Sequence, residues 1–178
     1  TEQIVTVATE LQVELIVILG ALLADVPHSR PVRVTGTAAD AELVRRLDLG
    51  RSTYEGPTGI VGVLHEAFSR SHLPSASLWA AVPHYVAATP SPKASLALVT
   101  RAVDLLSTTV DIEDLAIAAA DYERQVNEVV AADDDVVAYV RRLETSTDDD
   151  EAVADLEAVS GDALAAELER YLREQRGE

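Results

Sequence analysis

The sequence predicts an α/β domain with a mixed or parallel sheet and flanking helices, followed by a C-terminal helical extension. Three observations carry that prediction. An amphipathic opening segment runs into the continuous β-prone stretch Leu15-Ile16-Val17-Ile18-Leu19, whose apolar residues at both parities suit a strand covered on both faces. An apolar helical pattern around Ile60–Phe68 is followed by a second strand-like run, Ser75–Val82, and this helix-then-strand order is that of an α/β layer. From Ser91 onward the chain turns to long segments rich in Ala, Leu and Val at helical period.

Taken in order, Thr1–Val13 places Ile4, Val7, Ala8 and Leu11 on one helical face. Leu15–Leu19 reads as a central strand that Gly20 ends, with Ala21–Ser29 as the loop at its carboxyl end. Pro31–Thr37 alternates and is β-branched, which predicts an edge or short strand. Asp40 can cap a short helix reaching Leu47. Tyr54–Gly59 is a turn with two glycines, after which Ile60, Val61, Leu64, Ala67 and Phe68 define a buried helix. Trp79 centres the next strand as a core residue, and Pro83 stops it. Two or three strands do not complete such a sheet, so further strands are expected from an N-terminal part lying outside this sequence or from a partner.

Pro92 suits the first turn of the next helix. Asp111–Thr145 and Ser160–Arg176 read as two more helical segments, separated by the acidic stretch Thr147–Glu151. The chain divides into an α/β part, 1–90, and a helical acidic part, 91–178, and its charge shifts further along, near residue 110. Residues 1–110 hold 10 acids and 8 bases, and residues 111–178 hold 21 acids and 6 bases.

A net charge of −17 argues against nucleic acid and anionic membrane surfaces, both of which are bound through clustered Lys and Arg. The longest apolar stretch, Leu15–Leu23, is too short to span a bilayer. With no cysteine there is no disulfide, thiolate metal site or cysteine nucleophile, and a cytoplasmic location is expected. No cofactor is expected. His65 and His72 are seven residues apart without further ligands, so no metal site is expected either.

Three segments are candidates for chemistry. Gly56-Pro57-Thr58-Gly59 leads into a helix, and Thr58 and Gly59 could hold an anion there, although no Gly-Lys-Ser/Thr follows; a tight strand–helix turn accounts for the same residues. The loop Asp25–Arg33 lies beyond a strand's carboxyl end, where open α/β sheets bind ligands. In it His28 could act as acid or base and Arg30 and Arg33 could grip a carboxylate or phosphate; a solvated loop held by two prolines is the plainer alternative. His84 and Tyr85, after Pro83, would reach the same rim. No nucleophile elbow surrounds Ser29, Ser77 or Ser95, and no catalytic residue is assigned. Thr1 as an N-terminal nucleophile does not suit a helical start. The triplets Asp133–Asp135 and Asp148–Asp150 lack the Gly and Glu of a calcium loop and read as solvated helix ends, or as a docking surface for a basic partner.

Gly20-Ala21-Leu22, Thr58-Gly59-Ile60-Val61-Gly62-Val63-Leu64, Ala81-Val82-Pro83-His84-Tyr85 and Ser91-Pro92-Lys93-Ala94 occur in one order along the chain. As an ordered set they resemble the proteasome assembly chaperone family, in its actinobacterial branch, over roughly residues 1–145. The resemblance implies a phosphorylase/hydrolase-like α/β fold with a helical C-terminal region, and a chain that forms the C-terminal portion of the family's usual length. It also implies an assembly or adaptor protein that acts by protein binding, as a homo-oligomer with a trimer as first expectation, with proteasome subunits as possible partners. A small-molecule-binding protein or a hydrolase- or phosphorylase-like enzyme, with its site at the sheet rim, is the alternative.

Overall fold

The computed structural model describes residues 1–51, 59–86 and 90–157, side chains at 51 and 149–157 excepted. Its elements are α1 (Glu2–Glu10), β1 (Ile16–Ala24), β2 (Val34–Ala38), α2 (Ala41–Arg46), β3 (Gly50–Arg51), α3 (Ile60–Arg70), β4 (Ser75–Pro83), α4 (Pro92–Leu105), α5 (Glu113–Val130) and α6 (Asp134–Glu157). The strands form one mixed sheet in the order β1-β4-β2-β3. β1 runs parallel to β4 from Ile16 opposite Ser75 to Ala24 opposite Pro83. β2 runs antiparallel to β4, with Val34 opposite Ala80 and Ala38 opposite Ala76.

The mixed α/β class is as the sequence predicts, while several local readings change. Gly20 does not end β1, which continues through the segment expected as a loop to Ala24. The reason lies across the ladder: Gly20 sits opposite Trp79, whose ring overlies it, and a Cβ there would come within 2.6 Å of Trp79 Cε3. Glycine is therefore the platform for a cross-strand aromatic. β1 is also not central among the described residues but lies at the end of the strand order. Its apolar residues accordingly stay partly open, with Leu19, Leu22 and Leu23 exposed. β2 is short, as expected, but it is interior, paired with β4 on one side and β3 on the other. The Tyr54–Thr58 turn lies outside the described residues.

β4 supplies the core. Ala76, Leu78 and Ala80 are fully buried, and Ala38, Leu43 and Leu49 pack with Ala76 and Leu78. Leu98, Ala102 and Leu105 of α4 join that cluster, and Ala94 packs with Ala80 and Val82, so the first C-terminal helix lies on the sheet. Trp79 is only partly buried, whereas Phe68 of α3 is buried. The rest of α3 is less covered than a fully buried helix, with Ile60 and Val63 exposed.

The helical division also differs from expectation. The break falls at Ala131–Asp133, where Asp133 Oδ1 accepts from the amides of Asp135 and Val136 at 2.9 and 3.3 Å and so caps α6. The stretch 147–151 lies inside α6 instead of separating two helices. The first turns of α6 are held to α5 by an apolar seam, in which Tyr122, Val126 and Val130 pack with Val136, Val137 and Val140. The predicted helix at Ser160–Arg176 lies outside the described residues.

Four helices end alike. Gln12, Asp48, His72 and Ser107 each stand two residues past a helix and take a left-handed φ of 50–56°. The next residue then returns an amide bond to the helix: Val13 to Ala8, Leu49 to Val44, Leu73 to Phe68 and Thr108 to Val103. This is the Schellman closure, usually made with glycine. We predict that Ser107→Gly stabilises the protein by about 0.5–1 kcal/mol, because the relief of left-handed strain exceeds the added chain entropy. A lower urea midpoint for that variant would contradict the cap.

Candidate functional site

The loop between β1 and β2, Asp25–Arg33, is held by side chains from four later segments. Pro27 and His28 are buried. The backbone N–H of His28 donates to Tyr85 Oη at 2.9 Å, its Nδ1 lies 2.8 Å from the same oxygen, and its Nε2 lies 3.0 Å from Asn127 Oδ1. Asn127 Oδ1 can only accept, so the proton sits on Nε2 and the Tyr85 hydroxyl donates to Nδ1. Lys93 Nζ completes the set by donating to the His28 carbonyl at 2.6 Å while pairing with Glu123 at 2.6 Å. Both ring nitrogens and both backbone groups of His28 are thus engaged.

Around this residue the loop is tied to α6. Ser29 Oγ donates to Glu144 Oε1, and Arg30 makes a two-pronged pair with Asp148, at 2.8 and 2.7 Å. The Arg30 hydrogen bonds hold the Asp148 carboxyl below its usual range. Because that pair is exposed, its role is positional more than energetic. His84 is exposed and its Nδ1 lies 3.1 Å from Asp25 Oδ1, which also accepts from Tyr139 Oη at 3.3 Å. The rings of His84, Tyr85 and Tyr139 meet edge to face, with Arg142 over Tyr139. Burial pushes the Tyr85 phenol up from its ordinary value, so it remains a hydroxyl donor through neutral pH.

Behind the loop lies a cavity of about 150 Å³, walled by the loop itself, Ala81 and Pro83 of β4, Ser91 and Lys93 at the start of α4, Tyr122 of α5, and Ser146 and Thr147 of α6. Of the sequence-derived candidates, His28, Arg30 and Arg33 line it. Tyr85 is the hydrogen-bond partner of His28, and His84 faces Asp25 on the surface. Gly59 is the N-cap of α3, where an added Cβ would meet nothing within 4 Å among the described residues, and Thr58 lies outside them. Sequence reasoning missed Ser91, Lys93, Tyr122, Asn127, Glu144 and Asp148 as rim residues. A partial signal was present in α5, where Tyr122 falls on the same apolar stripe as Val126 and Val130.

His65 and His72 do not form a pair. His65 Nδ1 and Nε2 each lie 2.7 Å from a serine hydroxyl, Ser75 and Ser77 of β4, while His72 is a helix-capping residue. Among the described residues no group of three or more His, Cys, Asp or Glu is placed to hold a metal ion.

These features define a mixed-sheet α/β protein whose strand-end loop is clamped by its own C-terminal helices. The chain belongs to the PAC2 family, whose model matches residues 1–130. It is similar to a solved PAC2 family protein from Streptomyces avermitilis, with 46% identity and a TM-score of 0.71, covering 78% of this chain and 58% of that one. A proteasome-assembly chaperone homologue from Mycobacterium tuberculosis has 45% identity and a TM-score of 0.67, covering 78% of this chain and 59% of that one. A second Mycobacterium tuberculosis protein, of unknown function, has 25% identity and a TM-score of 0.79, covering 88% and 53%. The chain thus spans less than two thirds of each of these relatives. No curated protein matches it.

Two outcomes are predicted. His28→Phe leaves Tyr85 Oη and Asn127 Oδ1 without their partner and costs roughly 2–4 kcal/mol in urea unfolding, as buried polar groups lose their bonds; a loss below about 1 kcal/mol would show that the loop is held otherwise. Burial lowers the His65 imidazole from its ordinary value, so the unfolded chain binds the extra proton first. The His65 contribution is therefore complete above about pH 6.5 and is lost as pH falls through the depressed folded value. His65→Gln is expected to flatten stability against pH in that interval relative to the parent, and an unchanged difference between the two curves would refute it.

Proposed function

We propose that this protein acts by binding other proteins, as an assembly or adaptor factor, with proteasome subunits as the partner class. The observation that carries the proposal is the 45% identity to a proteasome-assembly chaperone homologue over 78% of the chain, within a shared family. The surface supports it. Among the described residues nothing pairs with the outer edge of β1, which exposes Leu19, Leu22 and Leu23, and α1 exposes Ile4, Val7 and Leu11. An open strand edge carrying apolar side chains is a template for strand addition from another segment or chain. Self-association, with a trimer as the expected state, belongs to the same proposal. The geometry gives no support to the enzyme alternative, since the His28 ring spends both nitrogens on Tyr85 and Asn127. Among the described residues no helix is long and apolar enough to cross a membrane.

The test is affinity purification of the tagged protein from its own cells, with mass spectrometry of what remains bound. Proteasome subunits are expected with the parent chain and at reduced yield with Leu23→Lys, a change at an exposed position that leaves the core intact. Recovery of the protein alone under both conditions would overturn the proposal. Light scattering reads the oligomer directly, and a monomer at the 19.0 kDa chain mass would remove the trimer.

A further inference from the structure

We propose that the part of α6 beyond Leu143 is a releasable strap, which closes over the Asp25–Arg33 loop through Glu144 and Asp148 and opens when those contacts are lost. This goes beyond the assembly role and does not rest on it. Three observations carry it. The first is where apolar burial stops. α6 is anchored at its start, with Val136, Val137 and Val140 in the seam against α5, whereas none of residues 141–148 is buried. This later stretch meets the loop through polar contacts, Ser29 Oγ donating to Glu144 and Arg30 pairing with Asp148 at 2.8 and 2.7 Å. The Arg30 and Asp148 side chains are 36% and 52% exposed, so dissolved salt screens their attraction.

The second observation is that the helix is weak in this stretch. Thr145-Ser146-Thr147 sets three residues of low helix propensity in a row. The Thr145 and Thr147 hydroxyls donate back to the carbonyls of Arg141 and Leu143, at 3.1 and 2.9 Å, a bond that slightly destabilises a helix. Residues 148–151 are all acidic, and the last turn of α6 has no basic residue to meet the negative end of the helix dipole. Glu144 and Asp148, four apart, repel each other as helical neighbours. Ser29 and Arg30 offset that repulsion, so helix formation here is coupled to clamping of the loop. The third observation is what the strap covers. Ser146 and Thr147 form one wall of the cavity behind the loop. Release removes that wall and uncovers Ser29 and Arg30, while His28 keeps its bonds to Tyr85, Lys93 and Asn127. The loop therefore stays in place and only what the rim presents is changed.

The experiment is native-state amide hydrogen exchange on the full chain, read by NMR at about 0.02 M and about 0.5 M NaCl, where the screening length falls from about 20 Å to about 4 Å. In low salt the amides of residues 144–148 are expected to exchange at least about tenfold faster than those of Val126, Val130 and Val140, because they open locally. In high salt they are expected to speed up about threefold, the size of effect of losing an exposed ion pair, with the three valine amides unchanged. Arg30→Gln is expected to give the fast rate already in low salt and to remove the response to NaCl. Ser29→Ala is expected to raise the low-salt rate as well. Both changes lie outside the helix and at residues that are not buried, so either one decides if the other fails to fold. Exchange at 144–148 as slow as at Val140, a salt response that is absent or shared by Val126 and Val130, or rates that both variants leave unchanged would each overturn the proposal.

Discussion

The rim of this molecule depends on one buried polar residue. His28 sits on the loop that leaves β1, and it is anchored by Tyr85 after β4, Lys93 in α4 and Asn127 in α5. A buried imidazole must have its hydrogen bonds made by the protein, and each of those bonds here comes from a segment remote in sequence. Satisfying His28 therefore fixes the sheet, the turn after β4 and two helices relative to one another. Hydrophobic burial under α4 is non-directional, and it would tolerate sliding that the His28 bonds do not.

The acidic character of the C-terminal half finds part of its structural meaning at the same place. Glu123, Glu144 and Asp148 face Lys93, Ser29 and Arg30. Glu144 and Asp148 are four residues apart, so one face of α6 holds two successive residues of the loop. Other acids of this half stay on the surface, Asp121 and Glu128 among them, sharing Arg124.

Which candidate residues could be read from the sequence follows from how local their signals are. His28, Arg30 and Arg33 were legible because they follow an apolar run in a Pro-bounded loop, and their common cavity bears on the alternative reading of a ligand site. Tyr122 and Asn127 were not, because each belongs to a helix whose orientation is set by packing against other helices. Capping was legible at Asp40, whose carboxylate accepts from the amides of Glu42 and Leu43. The left-handed caps at Gln12, His72 and Ser107 were hidden because no glycine announces them. The strand assigned as central failed for a related reason: a doubly apolar run reports what the chain is able to bury, while its neighbours are chosen by the rest of the sheet.

By itself, the sequence determined the α/β class, the helical C-terminal region, the division of charge and the family motifs, since these rest on periodicity, composition and short ordered patterns that do not need a partner residue. Only the tertiary structure decided the strand order, the extent of β1, the break between α5 and α6, and the cavity walled by five separate segments. The physical reason is that these features are contacts between residues as much as 118 positions apart, as with Arg30 and Asp148. Such contacts are selected by the free energy of packing and hydrogen bonding in the folded chain, and local propensity carries no record of them.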